Sequence, residues 1–503
     1  MTTTMLLLLI FIVIISVLFF IRFQNYWTRK GLIPHVQPVP FFGNTLPVLF
    51  RRTHTISEYI CETYNLFPTA RYVGGMQFHT PIIILRDPDL IRDMCIKYFD
   101  YLPDHMGLFP ENTDPLFGKN LFVLRGDKWR EMRNALSPSF TGSKMKFIFK
   151  LIYECSTNFV QYFLDNPEVT NSVNVKDCFS RYTIDVIATS AFGITVNSVK
   201  DRDNEFHRHG VEAADFSGIG RGLKIMLARY CTTFMKFIGE PILSRSTTRF
   251  FKTIIQQTVK KRKELNINRP DMINFIIEAC QNEDGKELSN DDIVGHAFMF
   301  LLAGFATSAT VMGFLAHELA VNPKIQEKQR NEVDQFTKEN DEITYDTLSK
   351  MKYLDMVISE TLRKYPPNAM MDRLCAKKFT LPKSTPDSEE YTIEPNSLIW
   401  LPIYALHHDP KYFPDPEKFS PERFSDENKD NINPYTYIPF GVGPQKCIGN
   451  RFALMEIKIL FVHLLKNFIL EREERTRHPI KFEKGFLVIA KGELWIKFTR
   501  RED

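Results

Sequence analysis

The chain has 503 residues, 44% of them hydrophobic and 13% aromatic, which is ample material for a large core and an apolar pocket. Its formal charge of +4 comes without a basic stripe or a recognition motif, which argues against a nucleic-acid partner. Eight cysteines with no C-x-x-C pair and no zinc spacing argue against a disulfide framework or a structural zinc site, while length alone suggests about three domains.

Residues 5 to 21 form an uncharged apolar run, at the short end of the roughly 17 to 25 residues that span a bilayer. No basic segment precedes it and no small-residue cleavage site follows, so it reads as a retained anchor over 1–22 rather than a removed signal. Arg22, Arg29 and Lys30 lie after it, which predicts that the body stays on the cytoplasmic side. The absence of an Asn-x-Ser/Thr sequon agrees with that side. Pro34, Pro38 and Pro40 predict a stiff, extended basic and proline-rich linker over 23–45, leaving 46–503 as the folded body.

From Ser57 to Tyr98 the pattern predicts a helix, strand-like stretches at Ala70 to Val73 and Pro81 to Leu85, and a second helix from Pro88. Phe99 to Arg125 reads as a long loop, and loops of that length inside a compact body are commonly functional or disordered. Trp129 and Arg133 are four apart on the next helix and point the same way. Residues 143 to 190 predict two mostly helical segments, and Phe206 to Phe251 reads as less regular, with apolar and basic residues interleaved.

A helix from about Ser289 to Val321 is predicted, with Ser289 and Asp292 as a capping pair and Pro323 as the stop. At 1.5 Å per residue it is a rod of about 50 Å. Halfway along lies Leu302-Ala303-Gly304-Phe305-Ala306-Thr307-Ser308, where Gly304 costs about 1 kcal/mol relative to Ala. Gly304, Thr307 and Ser308 share a face, so a notch beside a hydroxyl pair is one reading; a Thr307 hydroxyl bonded back to the Ala303 carbonyl is the other. Further on, Glu360 and Arg363 form an i, i+3 pair and Arg423 follows in Pro421-Glu422-Arg423-Phe424.

The chemical centre is Phe440-Gly441-Val442-Gly443-Pro444-Gln445-Lys446-Cys447-Ile448-Gly449, set before a helix from about Asn450 to Asn467. Gly441 and Gly443 permit a tight turn and Gly449 removes a side chain near the sulfur. A thiol at a helix N-terminus is expected to favour its thiolate. Phe440, Gly443, Cys447 and Gly449 fall on the haem-binding loop of the cytochrome P-450 superfamily, which this segment resembles, and the wording around the motifs is most similar to insect microsomal family-six members.

The resemblance implies a mainly α fold with small β-sheets, one large domain behind the anchor, and haem b with Cys447 as the axial thiolate on iron. It implies Trp129, Arg133 and Arg373 as propionate partners, and Phe109 and Phe117 as pocket walls, either of which is equally well a core plug. Ala303, Gly304, Thr307 and Ser308 become the oxygen groove, and Glu360, Arg363 and Arg423 a buried structural triad beneath the cysteine loop. Two departures stand out: Gln445 replaces the loop arginine, and Ala306 replaces the acid that relays protons, so delivery is left to Thr307, Ser308 and ordered water. The implied activity is a monooxygenase on the cytoplasmic face of the endoplasmic reticulum, oxidising a xenobiotic or endogenous lipid. With no nucleotide-binding glycine motif in the chain, NADPH electrons come from a flavoprotein reductase, with cytochrome b5 as a further partner. Lys128, Arg130, Lys446 and Lys458 are candidate docking cations. Rival readings are a haem-thiolate isomerase or dehydratase, which Ala306 favours, and a hydrophobic-ligand binder without turnover.

Overall fold

The computed structural model describes residues 3–502 except 32, 41, 50–52, 108–113, 217–218, 268, 270, 280–288, 340–342 and 486. Phe109 lies outside the described residues. The architecture is mainly helical with small sheets, as expected.

The N-terminal helix, Thr3–Gln24, leaves Met5, Ile10, Phe11, Ile14, Ile15, Val17 and Leu18 exposed. Among the described residues, the helix long and apolar enough to cross a membrane is instead Asn290–Val321, which is largely buried and is the core rod of the domain. The proline-rich stretch does not hang free as a linker. Trp27 is 1% exposed and its indole N–H donates to the Gly75 carbonyl at 3.1 Å, with Gly74 leaving room for the ring: a Cβ there would lie 2.5 Å from it. The Val36 N–H then bonds to the Gly74 carbonyl, so Trp27 and Val36 tie this stretch to the sheet by contacts that the proline spacing did not disclose.

That sheet has four strands, β1 (Tyr72–Gln77), β2 (Thr80–Leu85), β3 (Met371–Leu374) and β4 (Leu398–Leu401), in the order β1-β2-β4-β3. β2 runs parallel to β4, with Ile83 opposite Ile399, and β3 pairs antiparallel to β4, placing Arg373 opposite Ile399. The continuous Ile82-Ile83-Ile84-Leu85 run is buried throughout, as a doubly covered strand requires.

Residues 206–251 are more regular than expected. They carry helices Glu205–Ala214, Ile219–Tyr230, Thr232–Ile238 and the start of Arg245–Leu265, the second and third of which adjoin at Cys231 and blur the periodicity. Leu223, Phe234, Phe237 and Ile238 are exposed there. The two segments expected over 143–190 are the helices Gly142–Asp165 and Val175–Ile187.

Candidate active site

The central helix, Asn290–Val321, starts at a full capping box in which the Ser289 hydroxyl accepts from the Asp292 N–H and the Asp292 carboxylate accepts from the Ser289 N–H at 2.9 Å. Most of it is buried, yet Ala303 in its middle is exposed, and Met299, Ala306, Thr307 and Thr310 are partly so. Their spacing of three or four places them on one stripe, which therefore faces an internal opening. The Thr307 hydroxyl donates to the Ala303 carbonyl at 2.6 Å. The notch expected at Gly304 abuts the helix Val175–Ile187: a Cβ there would meet Ile187 Cδ1 at 2.8 Å, so the Ile187 side chain would have to shift. Ser308 is buried and points away from the stripe.

The cysteine loop closes as a turn because Gly441 and Gly443 adopt φ of +77° and +75°. A Cβ on Gly443 would lie 2.2 Å from the Cys95 carbonyl oxygen, so no other residue fits. A Cβ on Gly449 would meet nothing closer than Phe140 Cε1 at 3.9 Å, which leaves that side open as a cradle for a planar group. The Cys447 N–H donates to the Phe440 carbonyl at 2.8 Å, and the following helix is Asn450–Asn467. Cys447 is open to solvent although protein surrounds it, the mark of a residue on a crevice floor. Burial pushes its thiol pKa up, against the pull of the Gly449 N–H, Arg133 and Lys446. The helix terminus and the two nearby cations thus act in the thiolate's favour as expected, and desolvation acts against them.

The loop is gripped from several sides. Arg133, on the helix Gly126–Leu136, donates to the Lys446 carbonyl at 2.7 Å, and Gln445 donates to the Pro103 carbonyl at 2.5 Å. Gln445 therefore ties two loops together where the superfamily arginine would stand. Arg373 is 1% exposed, lies 3.4 Å from the Val442 carbonyl and has a buried Nε with no partner. Trp129 is buried beside Phe99, while Phe117 is also buried, edge-on to Phe298, and plugs the core. Phe440 is partly buried against the core.

Below the loop, Glu360 and Arg363 are fully buried and bidentate at 2.8 and 2.9 Å, with Arg423 at 3.5 Å from Glu360. Arg363 also donates to the His407 carbonyl at 3.1 Å. The His407 ring meets the Arg363 carbonyl at 3.1 Å and accepts from the Ile438 N–H at 3.0 Å, and the Ile438 carbonyl accepts from Gly441. Hydrogen bonds thus run from the buried pair to the turn that carries Cys447. His407 was not anticipated; nothing marks it apart from its distance along the chain from Glu360. Among the expected docking cations, Lys458 is 9% exposed and paired with Asp355, and Arg130 is held by Asp100 at 2.9 Å, whereas Lys446 is exposed.

An open cysteine, a glycine cradle, an unpartnered buried guanidinium nitrogen and an accessible stripe on a buried rod fit a haem between the cysteine loop and the central helix. This constellation defines a haem-thiolate oxidoreductase. The cytochrome P450 family model matches residues 34–497, and the chain belongs to that family of monooxygenases. It is similar to cytochrome P450 9e2 of Blattella germanica, at 42% identity over 94% of this chain and 93% of that one. Probable cytochrome P450 9f2 of Drosophila melanogaster is 38% identical over 93% and 94%, and cytochrome P450 6j1 of Blattella germanica 36% over 96% and 95%. The likeness to family-six members thus sits beside a likeness to nine-series insect proteins.

Proposed function

We propose that this protein oxidises a small lipophilic molecule, a xenobiotic or an endogenous lipid, using O2 and NADPH electrons passed on by a flavoprotein reductase. The observation that carries this reading is the open Cys447 in its glycine loop, together with a buried helix whose accessible stripe is apolar except for Thr307 and Thr310. Haem b, when bound, supplies the electron acceptance and dioxygen activation that no side chain offers. Cys447 would ligate its iron, Phe440, Gly443 and Gly449 would shape its cradle, and Trp129, Arg133 and Arg373 would hold its propionates, while Gln445 ties the loop to Pro103. Ala303 and Thr307 line the oxygen side, where the Thr307 hydroxyl holds or moves a proton.

The exposed Lys446, beside a groove of about 510 Å³ also lined by Lys429, Tyr435 and Val442, suits an acidic redox partner, the reductase or cytochrome b5. The apolar side chains of Thr3–Gln24 and the exposed Phe234, Phe237 and Ile238 support a single-pass anchor over 1–22 in the endoplasmic reticulum membrane, with 23–45 and the catalytic body of 46–503 on the cytoplasmic side. The test is the carbon monoxide difference spectrum of the reduced, membrane-extracted protein. A thiolate-type band that vanishes in Cys447→Ser supports the reading, and a protein without porphyrin, or a band unchanged in the variant, ends it. Ala306 favours a second reading, an isomerase or dehydratase, which turnover of a lipid hydroperoxide without NADPH would single out.

A further inference from the structure

Pro103-Asp104-His105-Met106, inside the stretch from Phe99 to Arg125, meets three elements that carry residues assigned to the haem. The Pro103 carbonyl accepts from Gln445 of the cysteine loop at 2.5 Å. The Asp104 carboxylate accepts at 2.7 Å from the N–H of Gly126, one of the donors that a helix start leaves without an internal partner, on the helix that carries Trp129 and Arg133. The Asp104 carbonyl accepts at 2.8 Å from the N–H of Leu374, the neighbour of Arg373 on β3. β3 ends the four-stranded sheet, and residues 103–106 cover the edge that no strand pairs with.

One side-chain pair fastens that cover. Asp372 and Arg373 are adjacent on β3 and so point to opposite faces of the strand. Arg373 turns toward the Val442 carbonyl of the cysteine loop. Asp372 turns toward 103–106, where one carboxylate oxygen meets His105 Nδ1 at 3.1 Å and the other accepts from the Met106 N–H at 2.6 Å. The His105 ring is buried and stacked on Phe122 at 5.0 Å, which fixes its plane. Burial alone would raise the Asp372 pKa, but the His105 ring, the Met106 N–H and the charge of Arg373 together hold it below the usual carboxylate value. For its own part, Arg373 donates from Nη1 to the Asp372 carbonyl at 2.8 Å, lies 3.4 Å from Val442 through Nη2 and has an unpartnered buried Nε. Such contacts orient a long side chain loosely, so its aim depends on where the backbone of β3 is kept.

We propose that the His105–Asp372 pair is a clasp that positions Arg373 for a haem propionate, by holding residues 103–106 against the free edge of β3. This rests on the haem-thiolate reading above. With Gln445 neutral and bonded to Pro103, and Arg133 bonded to the Lys446 carbonyl, the Nε of Arg373 is the buried cationic donor still open to an anion. Without the clasp the loop lifts from the strand edge and the guanidinium loses its aim. His105 and Asp372 act through Arg373 and are positioning residues, not groups that touch the reacting atoms.

The test uses the full-length, haem-loaded protein and reads two quantities, the propionate bending band in resonance Raman spectra and the rate of haem transfer to an acceptor protein. His105→Ala and Asp372→Asn are each expected to shift the band and to speed transfer severalfold. His105→Asn, whose amide nitrogen can take the place of Nδ1, is expected to restore both. In an Arg373→Gln background, His105→Ala is expected to add nothing further, because the residue through which it acts is gone. A propionate band unchanged in both single variants, or effects of His105→Ala and Arg373→Gln that simply add, overturns the clasp alone. Should Arg373→Gln or Asp372→Asn retain no haem, the band in His105→Ala and its recovery in His105→Asn decide. A wild type without haem overturns the parent reading. Amide hydrogen exchange at Met106 and Leu374, expected to be severalfold faster in His105→Ala, then still reports whether the pair holds the loop to the strand, and equal exchange overturns it.

Discussion

The two sides of the crevice are built on opposite principles. On the cysteine side, loop carbonyls are taken up by Arg133, Arg373 and Gln445, the His407 ring accepts from the Ile438 N–H, and the buried Glu360–Arg363 pair is fully engaged. On the central-helix side, Ser308 and Glu456 are both buried and without hydrogen-bond partners. A densely bonded network, open chiefly at the Arg373 Nε, holds one geometry, which a metal-ligating sulfur needs. Unpartnered buried groups leave that side less tightly specified.

Breaking the densely bonded side should have the larger effect. Glu360→Ala strands Arg363 without its partner and is expected to cost about 3–5 kcal/mol, with loss of haem retention, as read by thermal unfolding and the haem-to-protein ratio. An unchanged melting point would mean that the pair does not support the loop. The under-bonded side is probed by pH. Glu456 titrates at an ordinary 4.5 unfolded and at about 8 folded, so the folded state binds the extra proton between these values. The stability it contributes is whole below 4.5 and is lost as pH rises through about 8, and Glu456→Gln should flatten that decline in urea melts. The smallest effect is expected for Gln445→Ala, which removes one bond to Pro103 and should cost about 1 kcal/mol, together with faster haem transfer to an acceptor protein.

Most of this contrast was legible only on the cysteine side. Phe440, Gly443, Cys447, Gly449, Glu360 and Arg363 lie in short local motifs whose spacing survives without knowledge of the fold, and the Ser289 cap and the helix from Asn450 follow from local rules. What stayed hidden depends on meetings between distant segments. Gly304 looked like an oxygen notch until Ile187 was found against it, and Lys458 looked like a surface cation until Asp355 took it inside. Glu456 did leave a signal, a single acid in an otherwise apolar run, but its unpartnered burial depends on the elements packed over it. The thiol of Cys447 shows the limit of position as a guide, since helix terminus and burial push in opposite directions and only the fold decides the balance.

The seating of Trp27 against Gly74 has a mechanical consequence. Only two residues separate the end of the N-terminal helix at Gln24 from a side chain locked into the sheet. A catalytic body attached so closely cannot swing on a tether. With the N-terminal helix in the membrane as proposed above, it would behave like a hull bolted to its keel, its tilt over the lipid, and hence which rim of the crevice meets molecules dissolved there, set by the angle at which that helix leaves the bilayer.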